Sequence, residues 1–407
     1  MKSRVFLAIG CCILGSFFLN SCGNSAKNEA ATNIVWKKNK YATMFKVGRS
    51  STDSFLEVYN DDGTVLGKFF WGSSDTISGY RKIKSRERLV SLAAPYTFML
   101  SELGLASRIV AVDNLKFIGH PDWLELPTDW EDLPDLSEIP IKSSFRVPEV
   151  FGQSGELLPE KLLVVKPDLV FGFWVNPADQ EFAEGMTKKQ IPFVWCKNWL
   201  EAHPLGRSEW LIAFGWIAGK AEQSDSIFNR INTEYLSIAE QTKQLPKDKR
   251  LSVAANVPYP NGTWFVPVES DQLNQLVSDA GGELVVLKKA KVFAPTPLEK
   301  AIPMMQNTDV WINIDMYNKG ENLAIDYPQV KKIKSYKNQN VYHYNTTKNN
   351  FRNPYWDRGN LYCNELLSDL SSIFNSVRSG SSEGTSLASG GKVTQAKLEL
   401  KYYRRAF

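Results

Sequence analysis

The hydrophobic pattern of this 407-residue chain changes character several times along its length. An apolar run from Val5 to Leu19 comes first, and a small, polar stretch follows to about residue 33. Residues 41–71 then read as β. Phe55-Leu56-Glu57-Val58-Tyr59 and Thr64-Val65-Leu66-Gly67-Lys68-Phe69-Phe70 flank Asn60-Asp61-Asp62-Gly63, and an Asp-Gly between β-rich runs marks a hairpin. From Arg88 short apolar runs alternate with helical periods. Leu89 to Leu92, Arg108 to Val112, Leu169 to Gly172 and Ile191 to Trp195 read as strands, with helices over Thr97–Leu105 and Leu158–Val165. Strands alternating with helices imply a parallel sheet. Residues 206–243 look helical almost throughout, with Ile227, Ile231, Tyr235 and Ile238 on one face, and Pro246 as the stop. A second α/β series starts at Arg250. It includes a helix over Gln272–Ala280 closed by Gly281-Gly282 and strands at Asp309–Ile314 and Asn340–Tyr344. A Ser/Gly-rich segment at 375–392 reads as loop, and Leu398–Tyr403 as a strand-like piece that docks on the body.

The expected fold is therefore α/β. Two α/β lobes with parallel-rich sheets are joined by one long helix and preceded by a β-hairpin-rich extension. The boundaries are 1–21 for a leader, 22–85 for tether and extension, 86–205 for the first lobe, 206–245 for the interlobe helix, 246–374 for the second lobe and 375–407 for the terminal segment.

Composition changes the picture at the N-terminus. Lys2 and Arg4 precede the apolar run, which ends at Leu19-Asn20-Ser21-Cys22-Gly23. Basic, apolar, then small residues is the order of a secretory signal, and the run is shorter than the about 20 residues a membrane span needs. The Cys at its end resembles a bacterial lipobox, which implies lipidation of Cys22, anchoring to the membrane and a place in the cell envelope, on its periplasmic face or surface. The net charge of +4 falls to about +2 without Lys2 and Arg4, and no basic stripe exists, so nucleic acid is not an expected partner. Cys196 and Cys363 could pair in an oxidising envelope or simply be buried. Many of the 12 Trp sit beside Asn, Pro and Lys rather than in apolar runs, which fits an aromatic-lined pocket as well as a core.

Several segments together resemble a known family. Arg88-Leu89-Val90-Ser91-Leu92, Leu103-Gly104-Leu105 and Arg108-Ile109-Val110-Ala111-Val112 look like the opening of the periplasmic binding proteins for iron siderophores, haem and vitamin B12. Glu160, Leu162 and Lys166-Pro167-Asp168-Leu169-Val170 match an internal motif of that family. So do Gly262-Thr263-Trp264, Asp279-Ala280-Gly281-Gly282-Glu283 and Asp309-Val310-Trp311-Ile312. Glu201 to Trp210 resembles a lipoprotein branch of it. The resemblance covers about residues 86–373 and implies two Rossmann-like lobes joined by one rigid helix. It implies a substrate-binding lipoprotein of an ABC importer that captures a ferric siderophore, haem or corrinoid between its lobes, with no intrinsic cofactor. It also implies docking to a permease through one carboxylate per lobe, matched here by Glu160 and Glu299.

Ligands of open parallel sheets lie beyond the carboxyl ends of strands. The residues expected there are Tyr96, Trp174, Trp195 and Lys197 in the first lobe, with the loop from Asp113 to Phe117. In the second lobe they are Tyr259, Trp264, Arg352, Tyr355 and Trp356. Aromatic walls with a few fixed polar groups suit a large, flat or catecholate ligand, and Arg352 and Lys197 would neutralise an anionic one. A bare metal ion is disfavoured, because His120, His203 and His343 are far apart in sequence and no Cys-x-x-Cys exists. No nucleophile elbow or P-loop is present, so an enzyme is not expected. The rival reading is a surface-exposed scavenging or partner-binding lipoprotein that needs no permease carboxylates.

Overall fold

The computed structural model describes residues 33–126, 135–151, 157–173, 177–288, 294–315, 317–347, 351–380, 385–386, 394–395 and 399–407. The leader, Cys22 and Trp174 lie outside the described residues. Among the described residues no helix is long and apolar enough to cross a membrane.

The N-terminal extension is a sheet in the order β1 (Val35–Trp36), β2 (Phe45–Arg49), β3 (Asp53–Tyr59), β4 (Val65–Gly72), β5 (Arg81–Lys82). The expected hairpin joins β3 to β4, with Tyr59 opposite Val65. Gly63 takes φ +83° in the turn, a conformation that costs a residue without a Cβ nothing. The sheet is held to the body by two buried carboxylates. Glu209 accepts from the backbone N–H groups of Lys40, Tyr41 and Ala42, each at 2.7 Å. Glu201 accepts from Thr43 N at 3.0 Å and Met44 N at 3.1 Å, and also from Trp210 Nε1 at 3.0 Å. The Glu201–Trp210 segment thus serves the extension.

The first lobe comprises β6 (Leu89–Ser91), α1 (Ala94–Glu102), β7 (Ile109–Val112), α2 (Pro159–Val164), β8 (Leu169–Gly172), α3 (Pro177–Lys188) and β9 (Phe193–Trp195). Its sheet is fully parallel, in the order β7-β6-β8-β9. Both faces are covered, so β6, β8 and β9 are buried at every position, as continuous apolar strands of parallel sheets are. Asp168, of the Lys-Pro-Asp motif, accepts from Glu87 N and Arg88 N, both at 3.0 Å, and pins the chain as it enters β6.

The helical run expected between the lobes is two helices rather than one. α4 (Pro204–Ile217) and α5 (Ala221–Lys243) are separated at Gly219, whose φ of +79° ends the first helix. The spanning element is α5. Gln223 donates to the Glu102 carbonyl of the first lobe at 3.2 Å, and Tyr235 donates to Asp279 of the second at 2.6 Å.

The second lobe follows with β10 (Leu251–Ala255), β11 (Pro258–Tyr259), β12 (Thr263–Val266), α6 (Gln272–Asp279), β13 (Gly282–Leu284), β14 (Ala294–Pro297), α7 (Leu298–Met305), β15 (Val310–Ile312), α8 (Gly320–Asp326), α9 (Lys334–Lys337) and β16 (Tyr342–His343). A parallel sheet, β13-β10-β15, is joined by an antiparallel one, β11-β12-β14. The chain then passes through α10 (Arg358–Leu361) into α11 (Cys363–Ser379), which packs along α5. This helix runs beyond the expected lobe boundary at residue 374, because Ile373 and Phe374 are fully buried and Val377 packs against the same core. α11 also ties α4 to the second lobe. Ser208 on α4 meets Cys363 at 3.2 Å, and Arg378 donates to the Gly281 carbonyl at 3.2 Å.

β17 (Thr385–Ser386) and β18 (Thr394–Gln395) form a short hairpin, and β19 (Arg404–Arg405) pairs with β16. The terminal segment does dock, but its strand lies C-terminal to the stretch expected. Residues 401–403 are instead held by Asp369, which accepts three successive backbone N–H groups, and Tyr402 and Tyr403 are buried. Cys196 and Cys363 are both free and buried.

Candidate functional site

The strands of the first lobe end at Ser91, Val112, Gly172 and Trp195. A cavity of about 380 Å³ opens beyond them, facing the segment between β16 and α10. From the first lobe it is lined by Leu92, Ala93, Ala94, Pro95, Asp113, Phe117 and Phe173. The opposite wall is Arg352, Asn353, Trp356 and Asp357. A larger groove of about 610 Å³ lies at the other end of the second lobe, beside Leu251 at the start of β10. It sits at the amino ends of the strands, the wrong end for the ligand of a parallel sheet.

Of the positions expected beyond the strand ends, Arg352 and Trp356 line the cavity, together with Asp113 and Phe117 from the loop expected after Val112. Trp356 is 51% exposed. Its indole stands edge-on to Tyr344 and Tyr355, with centroids at 5.4 and 5.1 Å. Tyr355 lies beneath, stacked on Tyr344 at 4.1 Å, its hydroxyl accepting from Asn313 Nδ2 at 3.2 Å. Arg352 adopts φ +53°, a left-handed conformation that a side chain normally avoids. Its Nη1 donates to the carbonyls of Leu136 (2.9 Å) and Ile139, while its Nε is buried without a partner among the described residues. The guanidinium thus ties the cleft wall to the first lobe and does not stand free to neutralise a ligand.

The other expected positions are elsewhere. Tyr96 is buried, its hydroxyl donating to the Cys196 carbonyl at 3.1 Å beside Asn198 Oδ1 at 3.2 Å. Trp264 is fully buried, stacked on Trp311 at 5.0 Å, with Nε1 donating to the Ala255 carbonyl. Trp195 packs against Phe193. These three are core residues, since a large aromatic at a strand end gains more by burial than by waiting for a ligand. Lys197 is buried, 5.7 Å from the Trp199 ring; burial lowers its pKa, and the nearby charge that opposes this is Asp61, on the N-terminal hairpin. Tyr259 is half-buried on β11, edge-on to Phe265. Burial and Asp315 together raise its pKa.

Two carboxyl groups line the cavity, Asp113 of the expected loop and Asp357, and the sequence reading gave neither a role of its own. Asp113 follows β7 directly, and burial pushes its pKa up to about 7, with Glu149 adding to the effect. Asp357 is pushed up to about 6 by burial. It accepts from Gly119 N at 3.2 Å and Arg358 N at 2.6 Å. Gly119 allows that approach, because a Cβ there would lie 2.8 Å from the carboxylate. The place of Asp113 directly after the apolar Ile109–Val112 run put it in the expected loop, while nothing local marks its burial.

Glu160 and Glu299 are exposed, each in the first turn of a helix, α2 and α7. A carboxylate is favoured there by the helix dipole. No group of three His, Cys, Asp or Glu among the described residues could hold a metal ion.

Comparison with known proteins gives a consistent picture. The model of a family described as periplasmic binding protein matches residues 89–347. An uncharacterized lipoprotein of Methanocaldococcus jannaschii is 23% identical over 381 residues, 88% of this chain and 74% of its own. A possible iron-binding (periplasmic solute-binding) protein of Staphylococcus epidermidis superposes with a TM-score of 0.53 at 16% identity, covering 70% of this chain and 98% of that one. The periplasmic haem-binding protein RhuT of Roseiflexus sp. RS-1 superposes with a TM-score of 0.52 at 16% identity, covering 72% and 100%. At these identities the structural likeness speaks for the fold.

Proposed function

Because the chain belongs to the periplasmic binding protein family, we propose that it is the ligand-capturing subunit of an ABC importer. It is anchored to the envelope by lipid on Cys22, and holds an iron-complex-type ligand (a ferric siderophore, haem or corrinoid) between its lobes for a membrane permease. The observation that carries this reading is the cavity of about 380 Å³ beyond the strand ends of the first lobe, walled by apolar side chains and an exposed tryptophan. Its size and lining are those of a small-molecule site. The haem-binding and iron-binding proteins of the same fold support the ligand class. The archaeal lipoprotein supports the anchor.

Permease docking is assigned to Glu160 and Glu299, exposed on the two lobes. Charges across an interface chiefly set orientation and association rate. Absorbance and mass spectrometry of protein purified from its native envelope test the ligand class, with a bound metal complex as the expected result. Glu160→Lys with Glu299→Lys should leave ligand affinity intact while abolishing uptake and permease association. Uptake that survives the double reversal removes the docking assignment and leaves a scavenging lipoprotein.

A further inference from the structure

Resting on the reading of the interlobe cleft as the ligand site, we propose that Asp113 is a ligand-binding carboxylate. It selects neutral or cationic metal complexes that present amide N–H donors, the chemistry of a corrinoid, over anionic tris-catecholate iron.

Asp113 sits where a parallel sheet presents its ligand contacts, one residue beyond β7. It lines the cavity, yet only 9% of the residue is exposed, and its Oδ1 has no hydrogen-bond partner among the described residues. A buried acceptor left unpaired costs free energy that a donor entering the cavity would recover. An amide N–H or a cationic group supplies such a donor, whereas the net negative charge of a ferric tris-catecholate is repelled by the ionised carboxylate, whatever amides its linkers carry. Apolar contact with the ligand body is available from Leu92, Pro95, Phe117, Phe173 and Trp356.

The charges around Asp113 point the same way. Within the cavity it faces Arg352 and Asp357 on the opposite wall. The Arg352 Nη1 is already committed to two first-lobe carbonyls. Asp357 is a second carboxyl, satisfied by backbone N–H groups. On its own lobe Glu149 adds negative charge while accepting from Leu115 N at 2.7 Å. The Lys116 ammonium lies over the Phe117 and Phe351 rings, at 4.9 and 5.0 Å. The guanidinium keeps its positive charge, and its Nε has no partner among the described residues, but with both acids ionised the carboxylates outnumber it two to one, so a multiply anionic complex meets net repulsion in this desolvated cavity.

A donor-bearing ligand favours the ionised form of Asp113, and an anionic ligand favours the protonated form. Since burial holds the free carboxyl near a pKa of about 7, binding of the first kind tightens as pH rises through neutrality and binding of the second kind weakens.

The experiment titrates the full chain with cyanocobalamin, aquocobinamide, haemin and a ferric tris-catecholate at about pH 6 and about pH 8. The expected result is that the corrinoids bind best, that their affinity rises about fivefold to tenfold over this range, and that the rise disappears in Asp113→Asn. Asp357 titrates lower, its carboxyl pushed up to about 6, and any pH dependence it causes would survive that substitution. The wild-type profile is informative even if the variant folds poorly. Preferential binding of the tris-catecholate or haemin, a flat wild-type profile, or tightening toward acid overturns the assignment of Asp113 while leaving the cleft as a ligand site. If no probe binds at either pH, the reading of the cleft as a metal-complex site falls, and this inference with it.

Discussion

Trp356 offers the most direct test of the cleft. The residue is 51% exposed, although tryptophan is costly to leave in water. A tryptophan can bury about 150–250 Å², so roughly 100 Å² remains for a ligand to cover. At about 25 cal/mol per Å² this surface is worth up to about 2.5 kcal/mol. Trp356→Ala should therefore weaken binding by about tenfold to a hundredfold, read by titration of the ligand that copurifies with the protein. The buried half of the ring props Tyr344 and Tyr355 edge-on, so thermal stability should also fall. Trp356→Phe keeps a ring against both tyrosines. It should restore most of the stability but only part of the affinity, because its smaller face covers less ligand. A folded Trp356→Ala protein that binds within about twofold of wild type would refute the placement of the ligand against this wall.

Other parts of the molecule give independent tests. Glu209→Ala orphans the N–H groups of Lys40, Tyr41 and Ala42. At about 1–3 kcal/mol for each buried orphan, and less near solvent, the loss should be about 2–4 kcal/mol, with early proteolysis of the N-terminal sheet; a loss under about 1 kcal/mol in denaturant unfolding removes the clasp. Glu365 receives Arg358, Lys401 and Tyr402, and these hydrogen bonds outweigh its burial and bring its pKa down to about 2. A depressed carboxylate stabilises the fold above its ordinary pKa of about 4.3 and loses that contribution as pH falls toward about 2. The stability difference between wild type and Glu365→Gln should therefore shrink over that window, and a constant difference would contradict it. Cys22→Ala should release the protein from membranes or block leader cleavage; normal processing with continued membrane retention would contradict lipidation at Cys22.

The sequence by itself determined which elements form. The Asn60–Gly63 turn, the all-apolar strands β6 and β8, and the alternation of helix and strand each depend on neighbours in the chain. Short-range pattern carries that information. The exposure of Glu160 and Glu299 in the first turns of their helices was also legible, since a proline stands at or just before the start of each helix. Local pattern stopped short at the interlobe run. It read one helix, while Gly219 divides it and α11 supplies a second strut, a pairing that depends on contacts across more than a hundred residues of sequence. The cleft was decided by tertiary structure almost entirely. Tyr96, Trp195, Trp264 and Trp356 all follow or lie near strand ends, and sequence treats them alike. The first three bury their rings in the core, and only Trp356 faces solvent in the cavity. Asp113 and Asp357 are ordinary acids in the sequence. What distinguishes them is the low-dielectric wall made by residues distant in the chain, which withholds water from a carboxylate and raises its affinity for a proton.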